Sequence, residues 1–363
     1  MKNSRSRAWL AAAVCAPLIA ALGACGGDGG DGKMAVKSIT VFGDSLSDVG
    51  TYQVATGDPA NPGKFTVNPG KVWAENVAEH YGLALKPHRS LTLDKDASYG
   101  ATTEVGTATV IGGNGYAEGG ARVARLPSQS GVGNNRLVAP VREQVNSYLA
   151  AHGKFPAGEL LLVSGGGNDL YAQFSAVCWG TDENGLGPGN TTLDIANAEI
   201  AKAAQAAVDM VKQMQANGAR LILVLAQGNP IVSPFSRHYG SPEYQATGCY
   251  TPVTAEQVNA WTSQFNAILK SGLAPLPGVV LLDTGSLWSE VQANPARHGL
   301  VNLTDPACVG TRPINSAAFC TAATLAAPDA AQTWFWADSS HPTPRGHQIL
   351  SDHALALLKE HAR

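Results

Sequence analysis

Charge is scarce in this chain: Asp, Glu, Lys and Arg make up 15% of its 363 residues, against about 25% in ordinary soluble proteins. The formal net charge is only −3, and Lys and Arg never cluster. Both absences argue against a nucleic-acid binder, because neutralising phosphates needs concentrated positive charge. The N-terminal apolar run, residues 8–22, falls short of the roughly 20 residues that span a membrane. Internal repeats and blocks of like charge are missing as well. What is present is apolar material, 44% of the chain, together with 40 Gly and 21 Pro. That composition supports a substantial core joined by long loops and excludes wholesale disorder. One globular domain of about 330 residues fits best.

The N-terminus reads as an address. Lys2, Arg5 and Arg7 precede the apolar run without any acid, which is the pattern of a secretory signal peptide. The run closes in Leu22-Gly23-Ala24-Cys25, which resembles the lipobox of bacterial lipoproteins and implies that Cys25 is lipidated and becomes the first mature residue. A lone cysteine after small residues is also compatible with an A-x-A-like cleavage region. The Gly/Asp-rich stretch at 26–32 suits a flexible tether. These features divide the chain into a signal peptide (1–24), a tether (25–34) and a folded domain (35–363). Gly26, where Asp would retain a lipoprotein at the inner membrane, implies outer-membrane or cell-surface sorting. A periplasmic or extracellular location is the alternative. Anchoring would then come from lipid on Cys25.

Of six cysteines, four lie in the folded domain: Cys178, Cys249, Cys308 and Cys320. In an oxidising compartment four cysteines allow three pairings. Proximity favours Cys308 with Cys320, which leaves Cys178 with Cys249. A zinc site is the other option, but neither a C-x₂-C spacing nor a nearby histidine supports it. Four apolar runs, 38–42, 160–164, 221–225 and 279–283, read as buried parallel strands, with a fifth near 98–111. Helical patterns fall at about 71–81, 138–151, 193–217, 254–271 and 344–361. Alternation of this kind predicts a parallel sheet with helices on both faces, and functional loops at the carboxyl ends of the strands. The segments 50–70, 84–115, 171–192, 229–253 and 295–335 are predicted to be loops.

Three glycine-rich or polar turns follow those strands. Phe42-Gly43-Asp44-Ser45-Leu46-Ser47-Asp48 places Ser45 at the sheet edge and the start of a helical turn, where its N–H is free to meet an anion. The plain alternative is a helix cap supplied by Asp44 or Ser45. Gly165-Gly166-Gly167-Asn168-Asp169 brings a side-chain amide to the same edge; it lacks the lysine of a phosphate loop and the spacing of a dinucleotide fingerprint. Between them lies Tyr116-Ala117-Glu118-Gly119-Gly120-Ala121, a turn whose backbone can approach a substrate closely. Near the C-terminus, Asp338 and His341 are spaced so that the carboxylate can hold one imidazole nitrogen and leave the other facing a serine. Pro342 and Pro344 keep His341 on a loop.

In this order the four blocks resemble the GDSL or SGNH hydrolase family, from about residue 38 to 361. The resemblance implies a three-layer α/β/α sandwich around a flavodoxin-like, five-stranded parallel sheet. It implies Ser45 as nucleophile, His341 as base and Asp338 as orienting acid, with Ser45, Gly119 and Asn168 supplying the oxyanion hole. Gly115 stands where the family's second block commonly has Asn, which leaves Gly119 and Gly120 as competing donors. The implied activity is serine carboxylester hydrolysis without cofactor or metal, on an acyl ester or lipid. Carbohydrate O-deacetylation and acyl transfer are alternatives within the family, and a catalytically silent glycan- or lipid-binding lipoprotein is the non-enzymatic one. An α/β-hydrolase is disfavoured by the absence of a G-x-S-x-G elbow. His347 and His353 are not at ligand spacing and are expected on the surface of the last helix. Arg122, Arg125 and Arg345 read as solvated charges rather than as contacts for an anionic head group. Trp334 and Trp336 either line an acyl pocket or cover the sheet edge.

Overall fold

The computed structural model describes residues 36–92, 106–128, 137–180, 191–228, 233–310 and 316–361. The segments expected to be a signal peptide and a tether, with Cys25, lie outside them. The strands are β1 (Ser38–Phe42), β2 (Arg89–Leu91), β3 (Ala108–Val110), β4 (Glu159–Val163), β5 (Leu221–Leu225), β6 (Val279–Leu282), β7 (Asn302–Pro306) and β8 (Trp334–Trp336). Four of them form one parallel sheet in the order β1-β4-β5-β6. Every residue of β4 and β5 is buried, as an apolar strand covered on both faces requires. β6 alternates half-buried and buried positions, consistent with its place at the edge.

The helices are α1 (Gln53–Thr56), α2 (Trp73–His80), α3 (Val141–His152), α4 (Gly167–Cys178), α5 (Leu193–Ala216), α6 (Pro234–Tyr239), α7 (Pro242–Gly248), α8 (Ala255–Leu273), α9 (Thr284–Ala293), α10 (Ala330–Thr333) and α11 (Pro344–His361). Strand residues alternate between two cores, because successive side chains leave a strand on opposite faces. Leu161, Val163, Ile222 and Val224 join side chains of α3, α4, α5 and α8. Leu160, Leu162, Leu221 and Leu223 join those of α2, α9 and α11. The result is the α/β/α sandwich. On α5, Ala196, Ile200, Ala203, Ala204, Ala207, Val208 and Val211 make the buried stripe, and Thr192 caps the start by accepting the Ile195 N–H.

The fifth strand is a correction. Of the segment 98–111, residues 98–105 lie outside the described residues, and β3 pairs with β2 in a separate antiparallel ribbon. The free edge of β1 is covered instead by residues 114–118. Val41 N–H donates to Asn114 O (3.0 Å), and Tyr116 N–H and Glu118 N–H donate to Val41 O and Gly43 O (2.7 and 3.1 Å). Glycine at 112, 113 and 115 disfavours a regular strand, and the Asn114 amide replaces a ladder bond by donating to Ile39 O at 2.9 Å. Both expected disulfides are formed. Cys178–Cys249 ties the end of α4 to the end of α7, and Cys308–Cys320 closes a short loop. Among the described residues no helix is long and apolar enough to cross a membrane.

Candidate active site

At the end of β1 the chain turns so tightly that a Cβ on Gly43 would stand 2.1 Å from Ser164 Oγ. The Gly43 peptide groups find their partners in one side chain of α3: Gly43 N–H donates to Gln144 Oε1 and Gln144 Nε2 donates to Gly43 O, both at 2.8 Å. Asp44 then caps a single 3₁₀ turn, Ser45–Ser47, by accepting the Leu46 N–H. Ser47 is held from behind by Trp73 Nε1 and Ser164 Oγ, each 2.9 Å away. Ser45 thus sits on a rigid, buried turn at the carboxyl edge of the sheet.

The C-terminal loop delivers the other two groups. His341 Nε2 lies 2.8 Å from Ser45 Oγ. Its Nδ1 lies 2.8 and 2.7 Å from the two oxygens of Asp338. Asp338 also accepts the N–H groups of Ser340, His341 and Ala317 at 2.8 to 2.9 Å. Burial pushes the Asp338 carboxyl upward, but the adjacent His341 charge and these hydrogen bonds outweigh it and hold the group below the usual range. For His341 burial acts downward, and attraction from Asp338 with a contribution from Asp44 raises it above its ordinary value. Serine, histidine and carboxylate therefore form one hydrogen-bonded chain in which the ring's charged form is stabilised.

Asn168 enters from the first turn of α4. Its Nδ2 donates to Ala121 O at 3.0 Å, which fixes the amide and anchors it to the 116–121 turn. Gly119 stands differently from its expected role. Its N–H donates to the buried carboxylate of Asp48 at 2.9 Å, so the proton expected to meet an oxyanion is already engaged. Gly120, buried and at φ +86°, has an N–H that makes no hydrogen bond among the described residues.

Residues 39–354 match the family described as GDSL-like lipase/acylhydrolase. The chain belongs to that family. It is accordingly a hydrolase of ester substrates. No curated protein matches the sequence. Among solved structures, an alpha/beta hydrolase enzyme from the metagenome of Lake Arreo, Spain, is similar over 90% of this chain and 96% of its own, at 12% identity and a TM-score of 0.40.

Around the GDSL-type site, several side chains occupy places that the sequence did not announce. His347 is fully buried, not on the surface. Its Nδ1 accepts the Trp73 N–H at 3.1 Å, which puts the proton on Nε2, 3.4 Å from Phe65 O. The Phe65 ring lies 4.9 Å from the His341 ring and 5.5 Å from that of Tyr52. Tyr171, one turn beyond Asn168, is pushed up to about 12 by burial. Arg122 is also a correction, being buried with its Nε 3.2 Å from Asp169. Arg125 pairs with Glu199, and Arg345 Nε donates to His298 O at 2.8 Å. Trp336 is core, its Nε1 donating to Leu303 O, while Trp334 is half-buried beside β7. His353 is half-buried on α11.

Burial drives His347 down to about 3, whereas an unfolded chain takes up that proton near 6.5. Between these values the unfolded state binds a proton that the folded state refuses. Stability from this group is therefore complete above pH 6.5 and falls by about 1.4 kcal/mol per pH unit on acidification. His347→Gln lacks this penalty. Its deficit against wild type in urea unfolding is expected to shrink by about 2 kcal/mol between pH 7 and pH 5. An unchanged deficit would show that the imidazole is not kept neutral.

Proposed function

We propose that the chain is an exported serine carboxylester hydrolase that works through an acyl-enzyme on Ser45. The Ser45–His341–Asp338 hydrogen-bond chain carries this reading. His341 Nε2 takes the proton from Ser45 Oγ as the oxygen attacks the ester carbonyl, and Asp338 stabilises the imidazolium. His341 returns the proton to the departing alcohol, leaving the acyl group on Oγ. Water, deprotonated by the same imidazole, then releases the carboxylic acid. The oxyanion of each tetrahedral intermediate is held by the N–H groups of Ser45 and Gly120 and by the Asn168 amide. Gly120 replaces Gly119 in this scheme because a buried N–H without a partner is rare in a folded protein, and an arriving oxyanion would supply the partner.

Labelling with an alkyl phosphonate that bears a good leaving group tests the nucleophile. The expected adduct is on Ser45, and an intact protein that fails to react would favour a silent binder. Rates on p-nitrophenyl esters of increasing acyl length, set against acetate release from acetylated polysaccharide, define the substrate. Turnover that persists beyond acetyl supports the esterase, and turnover confined to acetyl favours the deacetylase. The location belongs to the same proposal: radiolabelled fatty acid should enter the wild-type protein and not a Cys25→Ser variant. Asn168→Ala is expected to lower kcat by about 10²–10³-fold, the cost of one preorganised oxyanion donor, with KM little changed. Losing the bond to Ala121 O costs only about 1 kcal/mol of stability. A near-normal kcat would take Asn168 out of the site.

A further inference from the structure

We propose that Asp48 and Tyr52 form a two-sided clamp on Gly119 that aims the Gly120 N–H at the oxyanion, which makes both of them positioning residues. The inference rests on the serine-hydrolase reading above and adds two side chains to it.

Residues 48–52 follow directly on the Ser45 turn and grip the glycine turn at three points. Asp48 Oδ2 accepts the Gly119 N–H at 2.9 Å. The Tyr52 hydroxyl donates to Gly119 O at 2.7 Å. Thr51 Oγ1 donates to Ala117 O at 3.2 Å. Both peptide planes flanking Gly119 are therefore fixed. In a planar trans peptide the N–H points opposite to the C=O. With Gly119 O held on the Tyr52 phenol, the Gly120 N–H must point away from that ring. Asp48, Tyr52 and Gly120 are all buried, so this orientation is not averaged by solvent.

A turn alone would not need this arrangement. Asp48 Oδ1 closes the local turn by accepting the N–H groups of Gly50 and Thr51 at 2.9 and 2.8 Å. The second oxygen is spent on a residue far along the chain. Asparagine offers one acceptor oxygen where Asp48 uses two, and a charged acceptor strengthens the bond to Gly119. Burial works against that charge and pushes Asp48 up to about 6. The other side of the turn is held similarly, since Glu118 accepts from Arg89 Nη1 at 2.9 Å and from the Ala139 N–H at 2.8 Å. Packing completes the clamp. A Cβ on Gly119 would stand 2.2 Å from the Phe65 ring and 2.9 Å from Tyr52. The ring that fills this space is the one lying against His341.

The test compares wild type with Tyr52→Phe at pH 8, where Asp48 is ionised. The readouts are kcat and KM on p-nitrophenyl butyrate and the Ki of butylboronic acid, whose tetrahedral Ser45 adduct places an oxygen in the hole. The expected result is a fall in kcat of about tenfold or more, part of what losing a whole donor costs. Ki should rise by the same factor, with KM within about twofold. A folded variant with unchanged kcat overturns the clamp, and so does a lowered kcat with unchanged Ki. Should Tyr52→Phe fail to fold, Asp48→Asn is read by the same criteria. Wild type that binds no boronic acid and forms no phosphonate adduct overturns the hydrolase reading and the clamp with it. Failure of the clamp alone leaves that adduct intact.

Discussion

Ser45→Ala is expected to reduce ester turnover by about 10⁶-fold while leaving the fold in place. The Oγ is within hydrogen-bond distance of His341 Nε2 and sits on a turn held by other groups: Asp44 caps it, Gln144 fixes the Gly43 peptide, and Trp73 and Ser164 hold Ser47. None of these contacts uses the Ser45 hydroxyl. Removing one oxygen therefore costs about 1 kcal/mol of stability but deletes the proposed nucleophile. What remains is the oxyanion donors and substrate binding, worth roughly 10³–10⁴-fold over water. The comparison is made at matched thermal unfolding profiles, with the phosphonate adduct followed by mass spectrometry. Turnover within about a hundredfold of wild type would place the nucleophile elsewhere and remove the basis of the proposed mechanism.

The sheet was legible where a strand is buried on both faces. Leu160 to Val163 and Leu221 to Leu225 are apolar without interruption, Ile39 to Phe42 is broken only by Thr40, and each forms the strand expected of it. The helices at 73–80, 141–152, 193–216, 255–273 and 344–361 likewise follow the periodicity of their sequences. α4 was hidden because Gly165-Gly166-Gly167 reads as a turn, yet the helix starts on the last of these glycines. Gly166 adopts φ +117°, and the Phe265 ring leaves no room there for a Cβ. The absence of a fifth parallel strand among the described residues has a similar cause, since backbone irregularity at 114–118 is compensated by a side-chain amide that strand propensity does not register.

Within the site, legibility follows sequence distance. Asp338 and His341 lie three residues apart, and Ser45 and Asn168 each stand in a recognisable turn. Asp48 meets Gly119 71 residues away, and His347 meets Trp73 274 residues away, so no local spacing announces either contact. One signal for His347 was present. On α11 it is in register with Leu350, Ala354 and Leu358, the buried stripe, and a polar residue on that stripe requires a partner. The choice between Gly119 and Gly120 was hidden from the sequence for a physical reason as well. Two adjacent glycines have equal conformational freedom, and which N–H stays free is decided by Asp48 and Tyr52 from another part of the chain.

Asp338→Asn is the second large effect, with kcat expected to fall by about 10⁴-fold. The carboxylate accepts four N–H groups: His341 Nδ1 and the backbone donors of Ser340, His341 and Ala317. Asparagine has one oxygen to offer. With that oxygen on the Ser340 and His341 N–H groups, its NH₂ faces Ala317 N–H and His341 Nδ1. The ring then accepts at Nδ1, and its proton moves to Nε2, the atom that must take the proton of Ser45. A base holding its proton at the working nitrogen cannot act. The buried Ala317 N–H loses its acceptor as well, at about 1–3 kcal/mol of stability. Because Asp338 raises the His341 pKa, losing its charge moves the acid limb of the kcat/KM profile to lower pH. In wild type that limb should lie above 6.5, the ordinary imidazole value. A variant that keeps kcat within about tenfold, or an acid limb that stays in place, would mean that Asp338 neither sets the tautomer nor stabilises the imidazolium.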